Sequence, residues 1–124
     1  MKLLIVDDSE EMRREIRSMV ADIASEIYEC SSGPEAVTMY PVLHPDWVFM
    51  DIVMEPMDGL EATRLLISYF PEARIVIVTS YDDEYLRDAA HAAGACGYVM
   101  KDNLLELRRM LLAQTPDSGG QDRG

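Results

Sequence analysis

The sequence predicts one α/β domain in which helices cover both faces of an open parallel sheet. Short, nearly continuous apolar runs alternate along the chain with longer amphipathic segments of helical period. Such apolar runs are typical of strands that are buried on both faces. Because parallel strands need crossover connections, which are right-handed, the alternation indicates a doubly wound sheet of five strands with five helices, in the order 2-1-3-4-5.

Three central strands are predicted from aliphatic runs that no polar residue interrupts, at Lys2–Val6, Trp47–Met50 and Arg74–Val78. Two shorter segments, 26–31 and 97–100, are more mixed but contain tyrosine and β-branched residues. That composition favours strands, and we expect these two at the edges of the sheet.

The first three helices are predicted from apolar spacing and from residues that begin or end helices. Ser9 is a suitable N-cap for the first helix, which has apolar residues along one face. The second covers about 34–40. The third begins after the Asp58-Gly59 pair and ends before Pro71, because proline cannot continue a helix.

The last two helices differ in composition. The fourth covers about 83–93, is rich in alanine and closes at Gly94, where glycine suits a left-handed C-cap. We expect it to bury little apolar area and therefore to be weakly held. The fifth is predicted to begin after Asp102 as its N-cap, and it carries more leucines than one buried face requires.

The composition of the chain argues against several classes of protein and of binding partner. The formal charge of −12, from 23 acidic and 11 basic residues, argues against direct nucleic-acid binding, which needs clustered cations. No aliphatic run approaches the length of a membrane span, and Asp7 and Asp8 interrupt the only N-terminal apolar run, so we expect no signal peptide and a cytoplasmic location. Cys30 and Cys96 are expected to be small buried apolar residues.

The domain is predicted to occupy residues 1–113. The remaining residues, 114–124, are polar and rich in glycine and are predicted to form a disordered C-terminal tail.

Polar residues follow four of the predicted strands at their carboxyl ends. Asp7 and Asp8 follow the first strand, Asp51 the third, Thr79 the fourth and Lys101 the fifth. In open α/β sheets, ligands bind at this edge where the winding reverses, between the first and third strands in this order. The three aspartates are therefore expected to converge, and a divalent cation would relieve their repulsion.

A cluster of carboxylates without histidine or thiolate suits Mg²⁺, which commonly also binds a phosphate oxygen. An aspartate can attack phosphorus to give an acyl phosphate, and the metal with an ammonium can balance the charge on the transferring group. These roles are assigned to Asp51 as phosphoacceptor and to Lys101 as the ammonium. The Thr79 hydroxyl can bond one phosphoryl oxygen.

Over residues 1 to about 113 the chain resembles the receiver domain of bacterial two-component response regulators, which has a flavodoxin-like fold. The resemblance lies in the motifs Leu4–Asp8, Gly33–Ala36, Pro45–Asp46 with Met50–Ile52, Met57–Gly59, Thr79–Ser80 and Gly94–Lys101. One motif departs from the family, because Pro56 stands one position later than usual.

The resemblance implies a function as a phosphorylation switch rather than as an enzyme on a small-molecule substrate. A histidine kinase or a phosphotransfer protein would transfer a phosphoryl group to Asp51, and the chain would catalyse only its own phosphorylation and dephosphorylation. Asp8, Asp51 and the backbone carbonyl of Val53 would ligate Mg²⁺, and Asp7 would assist through water.

The same resemblance implies a path from the phosphoryl group to a partner. Thr79, Lys101 and Tyr98 would couple phosphorylation to shape, with Tyr98 as the readout. The excess leucines of the fifth helix indicate separately that the face it shares with the fourth helix and fifth strand binds a downstream protein or a second copy of the chain, as a homodimer. Val53 and Tyr81 resemble positions that tune the access of water, and their bulk predicts slow phosphate loss.

Several alternatives stay open at this stage. The Lys101-Asp102 pair resembles receivers of the nitrate-regulator type, which are fused to a helix-turn-helix, so the chain could be a receiver excised from a longer transcriptional regulator. It could also be a receiver-like scaffold that is not phosphorylated. A haloacid-dehalogenase-type phosphatase is disfavoured because Val53 stands where its second aspartate would be, and flavin binding is disfavoured because Asp7 and Asp8 would repel a phosphate.

Overall fold

Five parallel strands form one sheet in the computed structural model, which describes residues 1–113. The strands are β1 Lys2–Val6, β2 Glu26–Cys30, β3 Trp47–Met50, β4 Ile75–Thr79 and β5 Gly97–Met100. Their order is β2-β1-β3-β4-β5, which confirms the predicted doubly wound topology. The tail predicted for 114–124 lies outside the described residues.

Five helices connect the strands and follow the last one. They are α1 Glu10–Val20, α2 Gly33–Leu43, α3 Gly59–Tyr69, α4 Glu84–Ala93 and α5 Leu105–Ala113. The predicted cap is confirmed for α1, where the Ser9 side chain accepts the backbone N–H of Met12. Asp58 and Asp83 cap α3 and α4 in the same way, which was not predicted from the sequence, and α3 begins at Gly59, earlier than predicted. Gly94 ends α4 in the left-handed region with φ 106°, as predicted.

The predicted start of the fifth helix was wrong. Asp102 is not its N-cap, because a tight turn in which Asn103 N donates to Met100 O, at 2.9 Å, delays the helix to Leu105. The second helix is longer than predicted and runs through Pro41. The strand predicted at 74–78 is shifted by one residue and includes Thr79.

The two faces of the sheet carry different helices. Helices α1 and α5 cover one face, with a core that includes Ile16, Val20, Leu107 and Leu111. Helices α2, α3 and α4 cover the other face, to which α2 and α3 contribute Ala36, Tyr40, Ala62 and Leu66. The central strands are thus buried on both sides, which explains why their sequences are continuously apolar.

Helix α4 buries little, as its alanine content predicted. Only Ala90 and Ala93 are fully buried on it, while Leu86 is half-buried. Of the two cysteines, Cys30 is buried as expected, but Cys96 is exposed, because it lies in the loop that precedes the edge strand β5. Within residues 1–113 no helix has the length and apolar character needed to cross a membrane.

Candidate functional site

The carboxyl ends of the strands bring the predicted site residues to one edge of the sheet. The ladder of backbone hydrogen bonds continues beyond the strands, since Asp51 N donates to Val6 O at 2.9 Å and Lys101 N donates to Thr79 O at 2.7 Å. Asp7 N likewise donates to Cys30 O at 3.2 Å. The residues that directly follow β1, β3 and β5 are therefore each held by a hydrogen bond to a neighbouring strand.

Asp7, Asp8 and Asp51 converge as predicted. A carboxylate oxygen of each lies within 4.8 Å of the others. Asp7 and Asp51 are buried, with 1% and 5% exposure, whereas Asp8 is exposed. The cluster thus has a buried floor of two carboxylates and one carboxylate at its mouth.

Lys101 joins the two buried carboxylates. Its Nζ lies 3.0 Å from Asp7 Oδ2 and 3.2 Å from Asp51 Oδ1. Burial alone would favour the neutral amine, but the close contact with the Asp7 carboxylate and the charges of Asp51 and Asp7 outweigh it and raise the pKa of Lys101. The side chain is therefore a permanent cation at this edge of the sheet.

One lysine does not neutralise three carboxylates. Burial, and next the charge of Asp7, raise the pKa of Asp51 to about 6, although the Lys101 ammonium acts in the opposite direction. Asp8 adds a smaller repulsion of the same sign as that of Asp7. The ionised form of Asp51 is thus destabilised relative to an aspartate in water.

The donor set fits a hard divalent cation. All three clustered groups are carboxylates, which Mg²⁺ prefers over nitrogen or sulfur ligands. Among the described residues, Asp7 Oδ2 receives no well-aligned hydrogen bond and has Lys101 only as an ion-pair partner. A cation would add positive charge to a site that has an excess of negative charge.

A cleft of about 250 Å³ opens above this cluster. It is lined by Asp8, Asp51, Val53, Thr79, Ser80, Tyr81 and Lys101. Thr79 is buried, and its Oγ1 accepts the backbone N–H of Tyr81 at 3.2 Å, so the hydroxyl hydrogen can still be donated to a ligand. The side chains of Val53 and Tyr81 are more than half exposed.

The loop after β3 is held against the site by a glycine. A Cβ on Gly59 would collide with the backbone carbonyl of Asp51, and Gly59 N donates to Ile52 O at 2.8 Å. Asp58 caps α3 directly before it, by accepting Glu61 N at 2.8 Å. The Asp58-Gly59 pair therefore packs the start of α3 onto the Asp51 peptide.

Tyr98 lies beside the cleft rather than in the acidic cluster. Its hydroxyl donates to Tyr81 O at 2.6 Å, and the Arg87 guanidinium stacks over its ring at 4.5 Å. Arg87 also pairs with Asp82 at 3.2 Å. Burial is the main cause that raises the pKa of the Tyr98 phenol, so the hydroxyl remains a donor at neutral pH.

The sequence did not reveal the role of Arg13, which lies behind the acidic cluster. Its Nη1 donates to the backbone carbonyl of Asp7 at 2.6 Å, and its Nε donates to Glu29 at 3.0 Å. An arginine near the start of an amphipathic helix normally faces solvent. The useful signal was the spacing of Arg13 and Arg17, which places both on the helix side that faces Glu29 of β2.

Comparisons with curated proteins give relatives that regulate chemotaxis or transcription. The chain is 41% identical over 100 residues to the chemotaxis protein CheY of Halobacterium salinarum, covering 81% of this chain and 83% of that protein. It is 36% identical over 107 residues to the response regulator GacA of Pseudomonas aeruginosa, covering 85% of this chain. The chain spans 50% of the length of GacA and 49% of YhcZ, a transcriptional regulatory protein of Bacillus subtilis.

Comparison with solved structures also gives response regulators. A two-component response regulator of the LuxR family from Aurantimonas has a TM-score of 0.80 at 28% identity, covering 95% of this chain and 91% of that one. The response regulator domain of Thermotoga maritima CheB has a TM-score of 0.80 at 25% identity, covering 99% and 98%. The model of the response regulator receiver domain matches residues 3–112, so the chain belongs to this family of phosphorylation-dependent signalling switches of two-component systems.

Proposed function

We propose that Asp51 is the phosphoacceptor, and that a histidine kinase or a phosphotransfer protein supplies the phosphoryl group. The observation that carries this proposal is the position of Lys101 Nζ, 3.2 Å from Asp51 Oδ1 and 3.0 Å from Asp7 Oδ2, at the floor of an open cleft. Receiver domains act as signalling switches rather than as classical enzymes, which fits a cleft that keeps its product attached.

The proposed metal ligands are Asp8, Asp51 and the backbone carbonyl of Val53, with Asp7 acting through a water molecule. The convergence of the three carboxylates supports this set, as does the place of Val53 in the lining of the same cleft. When bound, Mg²⁺ would supply positive charge opposite the oxygens of the transferring phosphoryl group.

In the transfer step, a carboxylate oxygen of Asp51 attacks phosphorus while the phosphorus–nitrogen bond of the phosphohistidine breaks. The bonding electrons stay on the imidazole, which then takes up a proton. Lys101 balances the charge on the phosphoryl oxygens, and the Thr79 hydroxyl donates to one of them. The chain thus promotes its own phosphorylation, and its dephosphorylation when water attacks phosphorus instead; the exposed Val53 and Tyr81 would slow that attack.

The proposed readout joins Thr79 to Tyr98. In this structure the Tyr81 N–H donates to the Thr79 hydroxyl. When that hydroxyl moves toward the phosphoryl group and donates to it, the contact with the Tyr81 N–H is broken, and Tyr81 can move together with Tyr98. We propose that a downstream protein, or a second copy of the chain, binds the face formed by α4, β5 and α5. Residues 1–113 would form the receiver, alone or within a longer helix-turn-helix regulator.

Acetyl phosphate tests the phosphoacceptor directly. The wild-type protein should gain the mass of one phosphoryl group when it is incubated with acetyl phosphate and Mg²⁺, and should gain none when EDTA replaces the metal. Asp51→Asn should gain none under either condition. Asp88→Asn, which changes an exposed aspartate on α4, is the matched control and should behave as the wild type.

Two results would contradict the proposal. A wild-type protein that binds Mg²⁺ but takes up no phosphoryl group would favour the scaffold alternative. A protein that releases phosphate continuously from many phosphate esters would favour a phosphatase.

A further inference from the structure

Arg13 contacts the back of the acidic cluster, on the side away from the cleft. Its side chain is 16% exposed although it lies on the surface helix α1. Arg13 Nη1 donates to the main-chain oxygen of Asp7 at 2.6 Å. The guanidinium therefore binds the backbone of a cluster residue and leaves its carboxylate available.

A second carboxylate holds this guanidinium in place. Glu29 Oε1 accepts from Arg13 Nε at 3.0 Å, and Glu29 Oε2 accepts from Arg17 Nε at 2.7 Å. Although partial burial opposes ionisation, the two arginines outweigh it and lower the pKa of Glu29. Because Glu29 belongs to β2, the three side chains join the edge strand, α1 and the end of β1.

The other polar atoms of Asp7 are also engaged. Asp7 N donates to Cys30 O at 3.2 Å, and Asp7 Oδ1 accepts from Ser9 N at 2.9 Å. Ser9 in turn caps α1 by accepting Met12 N at 3.1 Å. Without Arg13, the Asp7 carbonyl would lose the only side-chain donor that these contacts give it, and the turn that presents Asp7 and Asp8 would be less constrained.

We infer that Arg13, held by Glu29 and Arg17, is a positioning residue that fixes the turn carrying Asp7 and Asp8 in the geometry needed to bind a divalent cation. This inference rests on the proposed function, because it gives the acidic cluster a metal to bind. Groups that orient metal ligands typically change metal affinity by about 10-fold to 100-fold when they are removed.

The sign of the change in Mg²⁺ affinity distinguishes a positioning role of Arg13 from a purely electrostatic one. Removal of a cation near three carboxylates should, through charge alone, strengthen Mg²⁺ binding. Loss of a positioning contact should weaken it. Arg13→Lys is informative because lysine keeps the charge but lacks the planar fork that bonds the Asp7 carbonyl and Glu29 together.

The experiment is a titration with MgCl₂ followed by two-dimensional amide NMR spectra, which report both folding and metal affinity. We expect Arg13→Gln and Arg13→Lys to weaken Mg²⁺ binding by about tenfold, and Glu29→Gln to weaken it less. Arg14→Gln is the matched control, because Arg14 is 65% exposed and pairs only with Glu10, at 3.5 Å, among the described residues. It should change the affinity less than twofold.

Unchanged or tighter Mg²⁺ binding in folded Arg13→Gln and Arg13→Lys would overturn the inference. A change in melting temperature without a change in affinity would show a purely structural role and would overturn it as well. If Arg13→Gln does not fold, Arg13→Lys, which keeps the charge, decides the question in the same titration. Failure of the proposed function looks different, since the wild type itself would then not bind Mg²⁺ or would not become phosphorylated.

Discussion

Helices α1 and α4 flank the acidic cleft on opposite faces of the sheet, and they are held in different ways. Helix α1 buries Ile16 and Val20 and is tied to β2 through Glu29. It is also tied to α5, because Arg108 donates to Met19 O at 3.2 Å and pairs with Asp22, in the turn after α1, at 2.6 Å. Helix α4 buries only alanines fully, and its arginine pairs with Asp82, in the loop that leads into the helix. The difference suggests that α1 holds the site in place while α4 is able to respond to it.

The largest expected effect is a loss of stability. It compares one leucine on the face of the sheet that α1 and α5 cover with one on the face that carries α4. Leu107, on α5 beside α1, is fully buried, so Leu107→Ala should lower the free energy of unfolding by about 3 kcal/mol. Leu86 on α4 is only half-buried, and Leu86→Ala should cost about 1 kcal/mol. Urea unfolding of both variants measures the difference. Equal losses would show that the two sides are held equally.

The ionised carboxylate of Asp51, in the cleft that α1 and α4 flank, should itself oppose folding. Because the pKa of Asp51 is raised to about 6 from its usual 3.8, ionisation favours the unfolded chain, and stability falls as pH rises through this window. In the absence of metal at pH 7.5, Asp51→Asn should therefore be more stable than the wild type by about 3 kcal/mol, and the gap should narrow near pH 4. Thermal unfolding against pH measures this.

Addition of Mg²⁺ gives the control for that experiment. A cation that binds the folded wild type adds stability that grows with the logarithm of its concentration above the Kd, so the gap to Asp51→Asn should shrink. Asp88→Asn, on the exposed face of α4, should change stability by less than about 0.5 kcal/mol at either pH. A gap that does not depend on pH would show that the repulsion at Asp51 is not its cause.

The smallest effect concerns Arg87 of α4, whose guanidinium stacks over the Tyr98 ring at 4.5 Å. Arg87→Ala should remove about 0.5–1 kcal/mol of bias toward the present position of Tyr98, with little change in global stability. NMR relaxation dispersion should then show more exchange in α4 and β5. Arg17→Ala serves as the comparison on α1, and equal exchange at both helices would contradict the proposed asymmetry.

Most of the fold was predictable because local signals and topology agreed. Continuous apolar runs marked the buried strands, and Ser9 and Gly94 marked the start of α1 and the end of α4. The start of α5 was missed because the turn at Asn103 is formed by backbone hydrogen bonds, which depend on the end of β5 and leave no pattern in the sequence. The exposure of Cys96 was missed because an apolar neighbourhood in sequence does not decide burial in a loop.

The residues of the candidate site were predicted from the sequence, but the contacts that hold them in place were not. Aspartates at the ends of neighbouring parallel strands must converge, so Asp7, Asp8 and Asp51 followed from topology. The contact of Arg13 with the Asp7 carbonyl depends on the side-chain conformation of a helical residue and on the register between β1 and β2. The spacing of Arg13 and Arg17 places both on one side of α1, but no spacing rule in a single sequence identifies the Asp7 carbonyl as the partner of Arg13.

The outer strands of the sheet limit how copies of the chain could associate. Strand β2 has Glu26, which is exposed, and Glu29, which is already engaged by arginines, while β5 is only four residues long. A further strand added beside β2 would crowd these carboxylates, and β5 offers few main-chain groups to pair with. Joining two sheets edge to edge into one continuous sheet is therefore unfavourable, and any dimer would have to meet through helices.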